Sequence, residues 1–242
     1  MSKILISWSG GKDSTASVLL HIAKGSNMEI VNYIPYLTDE IPLITKEHYN
    51  FIINTAEKFS KFAKVHLIKG TTYRDIFYSK ITKGKNKGKL RGYSLGFGYC
   101  NFCYLSKIRA IQEIQKKVKH DYMDIGIAYD EKSRHSQLNE YKRSILCEMQ
   151  ITENEAFKLC KKFNLLSPHY ITNKRDGCAI CPNAPRSGLK KYLIDFPEAK
   201  EILFQLDKDY FNLYMFDKIK SDKGMPIAPY RNFENFTDRI MK

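Results

Sequence analysis

Short apolar runs alternate along the chain with longer stretches in which apolar residues recur every three or four positions. The runs at residues 4–8, 30–34, 65–68 and 122–127 are largely apolar and predict strands, most of them covered on both faces. The stretch at residues 45–62 repeats its apolar side chains with the helical period and predicts a helix. Strands and helices therefore follow one another in alternation.

This alternation predicts the fold class. Strand–helix–strand units with short connections form a mostly parallel sheet, so we expect an α/β protein with a doubly wound sheet and helices on both faces. We expect residues 1–150 to form the α/β domain and residues 151–242 to form a helical part of the same compact unit. The helical part contains a capping box at Thr152 and Glu155 and a helix at residues 197–216.

The junction between the first strand and the first helix carries the clearest chemical signal. The apolar run stops at Gly10 and Gly11, and from Asp13 onwards the apolar residues follow a helical period. The first N–H groups of a helix lack intrahelical partners, and two glycines let an anion approach the backbone closely. The sequence predicts a phosphate-binding loop, with an ordinary glycine turn as the alternative. The loop consists of Ser9, Gly10, Gly11, Lys12, Asp13, Ser14 and Thr15.

This loop differs from the common glycine-rich phosphate motifs. A Walker A loop has Ser or Thr directly after its lysine, whereas Asp13 follows Lys12 here. The order Ser-Gly-Gly-Lys-Asp-Ser resembles the Ser-Gly-Gly-x-Asp-Ser signature of the PP-loop, or N-type ATP pyrophosphatase, superfamily. The resemblance implies that the loop holds an adenine nucleotide, ATP, and that ATP is split between its α and β phosphates to adenylylate an acceptor.

Two later segments resemble the phosphoadenosine phosphosulfate reductase-like branch of that superfamily. Gly-Ile-Ala-Tyr-Asp-Glu-Lys-Ser-Arg follows a predicted strand at residues 126–134, and Ser-Pro-His-Tyr precedes Gly-Cys-Ala-Ile-Cys-Pro within residues 167–182. The resemblance implies a catalytic role for Arg134, although a surface salt-bridge cluster fits the same charges. Asp39, after the second strand, is either a nucleotide contact or a turn residue.

The resemblance also implies a division of roles at the loop. Lys12 and Asp13 are catalytic candidates together with Arg134, because a lysine can stabilise the charge that develops on a leaving pyrophosphate. Mg²⁺ would offset charge in the triphosphate.

Four cysteines occur as two Cys-x-x-Cys pairs. Two residues between cysteines let one turn direct both thiolates at a single ion, and two pairs complete a tetrahedral zinc site or an iron–sulfur cluster. Buried thiols or a redox pair are the alternatives. The predicted ligands are Cys100, Cys103, Cys178 and Cys181, while Cys147 and Cys160 are predicted to lie in the core.

Composition limits the partners. No apolar run approaches the length of a membrane span, and six cysteines in 242 residues do not suggest a secreted disulfide scaffold, so we expect a cytoplasmic protein. The net charge of +14 favours anionic partners or a solvated lysine-rich surface. Residues 79–99, rich in lysine, glycine and aromatics, predict a mobile loop that follows nucleic acid, closes over a triphosphate or is simply solvated. A homo-oligomer is left open.

Three functions compete at this point. The first is an ATP pyrophosphatase that adenylylates an acceptor for sulfur or nitrogen transfer in nucleotide or nucleic-acid modification. The second is a sulfonucleotide reductase, which the absence of any cysteine after Cys181 disfavours, because the reductases that the chain resembles attack with a C-terminal cysteine. The third is a non-catalytic, metal-stabilised nucleic-acid-binding protein, which the presence of Lys12 and Asp13 disfavours.

Overall fold

A computed structural model describes most of the chain. The described residues are 2–84, 87–92, 95–96, 99–100, 102–172, 177–181, 186–220 and 240–241. Seven strands lie in these ranges: β1 (Ile4–Ser7), β2 (Met28–Ile34), β3 (Lys64–Lys69), β4 (Leu95–Gly96), β5 (Tyr99–Cys100), β6 (Tyr122–Ile125) and β7 (Lys142–Arg143). The α-helices in the same ranges are α1 (Lys12–Ala23), α2 (Lys46–Phe59), α3 (Tyr73–Tyr78), α4 (Arg109–Lys117), α5 (Ile145–Glu148), α6 (Glu153–Lys162), α7 (His169–Thr172), α8 (Arg186–Asp195) and α9 (Glu198–Lys220).

The chain divides into two compact units, each assembled from separate segments. The first unit comprises residues 1–34, 47–69 and 109–176, and the second comprises residues 35–46, 70–108 and 177–242. The domain boundary predicted near residue 150 divides the chain by sequence position, and it stays a prediction.

The first unit contains the main sheet. Among the described residues its five strands lie in the order β3-β2-β1-β6-β7, and all neighbouring strands are parallel. The predicted α/β class and the predicted parallel sheet are therefore confirmed. All four predicted strands are present, with ends that differ from the prediction by one or two residues.

Helices cover both faces of this sheet. Leu5 and Met123 are register partners on β1 and β6, and they pack with Val31 and with Ile111 and Ile114 of α4. Side chains of a strand alternate between faces, so the residue after Met123 points to the opposite side. There the imidazole of His21, on α1, lies 3.4 Å from the carboxylate of Asp124.

The strand order reverses at β1, and this reversal determines where a ligand can bind. The chain builds outward from β1 through β2 to β3 and then returns to the other side of β1 with β6. Helical crossovers leave in opposite directions at such a point and open a crevice beyond the carboxyl ends of the two central strands. The loop of residues 9–15 follows β1, and the segment of residues 126–134 follows β6.

The second unit has its own core. Buried side chains of α3, α8 and α9 pack together with residues from the segments around them, including Leu37, Tyr73, Phe102, Ile180, Leu189, Tyr192, Ala199 and Leu203. Residues 103–108 form a π-helical turn that leads into α4. The predicted helix at residues 197–216 is present as Glu198–Lys220.

Part of the predicted mobile loop is an ordered hairpin. Lys80 and Leu90 form an antiparallel bridge, Ile81 N donates to Lys89 O at 2.9 Å, and Arg91 N donates to Ser79 O at 2.8 Å. Residues 85, 86, 93, 94, 97 and 98 of that predicted loop lie outside the described residues. In the part of the chain that the structure describes, no helix combines the length and the apolar character that crossing a bilayer requires.

Candidate active site

Gly10 shapes the loop after β1. Its φ of +85° is a conformation that residues with a Cβ rarely adopt. A Cβ at this position would also lie 3.0 Å from Cε1 of His48 and 3.1 Å from Cγ1 of Ile52. The backbone turn therefore favours glycine, and the packing against α2 leaves little room for a side chain at this position.

Gly126 allows the end of β6 to pass directly beneath the first turn of α1. A Cβ on Gly126 would lie 2.5 Å from the backbone nitrogen of Ser14 and 2.7 Å from its Cα. These distances are far below van der Waals contact with a rigid backbone, so no other residue fits without moving the helix. The close approach places the 126–134 segment against the loop.

The N-terminus of α1 has no side-chain cap. The N-cap residue is Gly11, with extended φ and ψ, and it supplies no hydrogen-bonding side chain. The N–H of Lys12 donates to the phenolic oxygen of Tyr170 at 2.9 Å, and the next two helical N–H groups have no intrahelical acceptor. The N-terminus of this twelve-residue helix is therefore suited to bind an anion.

The three hydroxyls of the loop have different roles. Those of Ser9 and Ser14 lie 3.0 Å apart, and the Ser14 hydroxyl also accepts from the N–H of Ser9 at 3.1 Å. The hydroxyl of Thr15 is buried and accepts from the indole N–H of Trp8 at 3.0 Å. Thr15 thus holds the strand to the helix, while Ser9 and Ser14 define the shape of the loop.

Lys12 lies between two carboxylates. Its ammonium donates to both oxygens of Asp13 at 2.9 and 2.8 Å and to Oε1 of Glu153 at 2.6 Å. Burial disfavours the charged ammonium, but the hydrogen bonds to these two carboxylates and their charge attraction outweigh burial and raise the pKa of Lys12 above its ordinary value. Lys12 is therefore a cation throughout the physiological range.

Opposing effects act on the pKa of Asp13, one of the two carboxylate partners of Lys12. Burial raises the pKa of Asp13, and the negative charges of Glu153 and Glu131 add to that effect, while Lys12 opposes it. The side chains of Lys12 and Asp13 are 16% and 18% exposed, whereas that of Glu153 is 49% exposed. An incoming anion would therefore displace Glu153 from Lys12 more easily than Asp13.

Arg134 is fixed by Glu131. One guanidinium nitrogen of Arg134 donates to the two oxygens of Glu131 at 2.8 and 3.0 Å, and Glu131 also accepts from the N–H of Ala128 at 3.0 Å. Glu131 precedes a 3₁₀-helix at residues 132–137. The negative charge of Glu131 is also one of the causes that raise the pKa of Asp13, and the contact between Gly126 and Ser14 holds the 126–134 segment next to the loop.

The other predicted site residues belong to the second unit. Asp39 is exposed in a turn where Leu37 N donates to Ile41 O at 2.8 Å. Cys178 and Cys181 share a turn in which Cys181 N donates to Cys178 O at 2.9 Å, and Cys103 begins the π-helical turn. The side chain of Cys100 lies outside the described residues.

A metal centre is not established by this geometry. Among the side chains that are described, no three His, Cys, Asp or Glu residues converge as metal ligands. The four-cysteine site remains a prediction, and so does the metal-bearing character of the C-terminal part.

The two remaining cysteines lie in the first unit. Cys160 is fully buried, its thiol donates to the carbonyl of Lys12 at 3.1 Å, and burial raises its pKa to about 12. Its prediction as a core residue is confirmed. Cys147 is half-buried, and its sulfur lies 3.5 Å from Nε2 of His135. Burial raises the pKa of Cys147 as well, so neither thiol is a thiolate at neutral pH.

Glu153 and Tyr170 are the site residues that sequence reasoning missed. Both reach Lys12 from positions 141 and 158 residues away. Glu153 was visible only as the first residue of the helix that the capping box starts, and Tyr170 only within the Ser-Pro-His-Tyr segment. The local pattern around Glu153 is an acidic residue at the start of a helix. Such a residue stabilises the helix dipole in any protein, so it does not by itself indicate a site.

Comparisons with known proteins add no family to this geometry. The chain matches no protein-family model, and a search of curated proteins finds no relative. The resemblance of the loop to the PP-loop signature therefore rests on the residues themselves.

His48 ties the acid stability of the first unit to the loop. Its ring is buried, lies against Gly10 and has Nδ1 2.9 Å from the hydroxyl of Ser167. Burial, together with the charge of His169, lowers the pKa of His48 from 6.5 to about 4. In the unfolded chain His48 binds a proton below about pH 6.5, so the unfolded state takes up more protons than the folded state between pH 6.5 and 4.

We predict that the free energy of unfolding falls as the pH drops from about 6.5 to 4, and that His48→Gln reduces this fall. The pKa difference corresponds to roughly 3 kcal/mol at most. Urea unfolding at several pH values, followed by circular dichroism, measures the difference between the two proteins. Equal pH dependence in both would contradict the burial of a neutral His48.

We predict that Glu153→Gln tightens the binding of pyrophosphate in Mg²⁺-free buffer by about threefold. The variant removes the half-exposed carboxylate that competes for Lys12, and an ion pair of this exposure contributes about 0.2–1 kcal/mol. The fluorescence of Trp8, the only tryptophan of the chain, measures the affinity. Glu140→Gln, an exposed site with the same charge change, is the control. Weaker binding by Glu153→Gln alone would show that Glu153 assists the anion instead.

Proposed function

We propose that the chain is a PP-loop ATP pyrophosphatase that splits ATP into AMP and pyrophosphate and transfers the adenylyl group to an acceptor. The observation that carries the proposal is the loop of residues 9–15 at the reversal of strand order, with Lys12 as the first residue of α1. The order of residues in this loop, which resembles the PP-loop signature, supports the same assignment. The activated acceptor would then react with a sulfur or nitrogen nucleophile.

The proposed reaction forms a bond between an acceptor oxygen and the α-phosphorus of ATP. The bond from that phosphorus to the oxygen bridging to the β phosphate breaks, and pyrophosphate leaves with the bonding electrons. Negative charge thus develops on the β-phosphate side of the leaving group. Lys12 and the N-terminus of α1 are suited to stabilise this charge, because both are fixed before the reaction begins.

The carboxylates around the loop give a physical reason why ATP would bind together with Mg²⁺. Asp13, Glu131 and Glu153 carry three negative charges around Lys12 and Arg134, so a bare triphosphate would meet local repulsion. Mg²⁺ prefers such oxygen ligands and commonly binds through one or two carboxylates together with substrate phosphates. When bound, it would offset the charge of the triphosphate.

Arg134 has a supporting role in this proposal. The side chain of Arg134 is 43% exposed, and one guanidinium nitrogen is hydrogen-bonded to Glu131. A guanidinium has five N–H donors, so others are available to a phosphate. Thr15 is assigned to the fold rather than to the nucleotide, because its hydroxyl is buried against Trp8.

We predict that ATP with Mg²⁺ changes the fluorescence of Trp8 and that Lys12→Ala weakens this binding at least tenfold. Trp8 is buried and joined to Thr15 inside the loop structure, so it reports on the loop directly. A hydrogen bond to a charged group contributes about 1.5–3 kcal/mol, which corresponds to ten- to hundredfold in affinity. Lys24→Ala, which removes an exposed lysine at the other end of α1, should bind as the wild type does.

Two results would contradict the proposal. One is ATP binding that Lys12→Ala leaves unchanged, since the nucleotide would then lie elsewhere. The other is tight binding of a sulfonucleotide with thiol-dependent release of sulfite and no measurable affinity for ATP, which would assign the chain to the reductases.

A further inference from the structure

The second unit carries an exposed basic hairpin that the proposed ATP chemistry does not use. Between Asp75 and Glu113 the sequence contains eight lysines and arginines and no aspartate or glutamate, and six of the eight lie within residues 80–91. The described lysines within residues 80–91 are Lys80, Lys83, Lys87 and Lys89, and all four are exposed. A cluster of like charges with no acidic residue among them creates a positive local potential that attracts polyanions.

The described residues 79–84 and 87–92 form the two arms of a hairpin. Its backbone is paired by the bridge between Lys80 and Leu90 and by the hydrogen bond from Arg91 N to Ser79 O. Leu90 packs against the core of the second unit, and Nε of Arg91 donates to the hydroxyl of Ser79 at 3.1 Å. The exposed lysines of the described arms are therefore carried by a backbone with antiparallel pairing.

Gly92 fixes the end of the hairpin. It has a φ of +62°, and a Cβ there would lie 2.4 Å from the ring of Tyr210 on α9. Its N–H donates to the carbonyl of Phe77 at 2.9 Å. An anchored hairpin loses less conformational entropy when it binds a ligand than a disordered loop would lose.

We propose that the two described arms of this hairpin, residues 79–84 and 87–92, bind the sugar–phosphate backbone of a nucleic acid. Lys80, Lys83, Lys87 and Lys89 are all exposed, and no acidic residue lies between Asp75 and Glu113 to offset them. Several cations on one short element suit a polymer with closely spaced phosphates. Backbone contacts of this kind supply affinity without reading sequence.

The side chains of the hairpin disfavour a membrane surface. Peripheral membrane segments combine basic residues with apolar side chains that enter the lipid. In the described part of the hairpin Leu90 packs on the protein core and Ile81 is half-buried, so neither is an exposed anchor for lipid. Repeated charge without an exposed apolar anchor fits a polyanion in solution.

This proposal goes beyond the ATP chemistry and is tested without ATP. We expect the full chain to bind a short fluorescein-labelled single-stranded RNA or DNA, measured by anisotropy between about 50 and 200 mM salt. Replacing Lys83, Lys87 and Lys89 together by glutamine should weaken binding and reduce the slope of log affinity against log salt by about two to three, at roughly 0.7–0.9 for each lost phosphate contact. Replacing the same three lysines by arginine should preserve both the affinity and the slope.

The control removes the same charge elsewhere. Lys58, Lys61 and Lys64 are exposed in the first unit, and their joint replacement by glutamine should leave the slope within one of the wild-type value. Circular dichroism melting shows whether each variant is folded. An unchanged slope in the hairpin variant, no binding by the wild type, or equal binding to polyglutamate or anionic vesicles would overturn the proposal. Failure of ATP binding would leave this result unaffected.

Discussion

The candidate site depends on one backbone contact, the passage of Gly126 beneath the first turn of α1. The missing side chain lets the carboxyl end of β6 reach the backbone of Ser14, where a Cβ would be 2.5 Å from the amide nitrogen. Because β1 and β6 are neighbours at the reversal of strand order, this contact joins the loop after one strand to the charged segment after the other. The electrostatic coupling between Asp13 and Glu131 follows from it.

Each of the two cations of the site is paired with at least one carboxylate when no ligand is bound. Lys12 is held by Asp13 and Glu153, and Arg134 is held by Glu131. Such pairing holds the ammonium of Lys12 at the N-terminus of α1 and prevents an uncompensated charge in a half-buried position. A phosphate must therefore compete with carboxylates, and the more exposed of the two partners of Lys12 is the one that can yield.

The sequence was informative wherever one local pattern decides the structure. The glycines, the helical period after Asp13 and the alternating strands predicted the loop and the parallel sheet, because turn geometry and burial act over a few residues. Glu153 and Tyr170 could not be predicted, since only the fold brings α6 and residue 170 to Lys12. The sequence predicts a mobile loop at the basic hairpin because lysines and glycines surround Leu90, whose packing on the core is visible only in the structure. The role of Thr15 was also hidden, since nothing in the motif distinguishes a buried hydroxyl from an exposed one.

The most direct test of the site is hydrogen–deuterium exchange of the loop with and without ATP and Mg²⁺. The amides of Asp13 and Ser14 lie in the first turn of α1, where N–H groups lack intrahelical acceptors, so they should exchange quickly in the free protein. Bound phosphates would accept hydrogen bonds from these amides, and we expect slower exchange in peptides that cover residues 9–15 of the wild type but not of Lys12→Ala. Protection that is absent from this loop, or that appears equally in Lys12→Ala, would contradict the assignment of the nucleotide site.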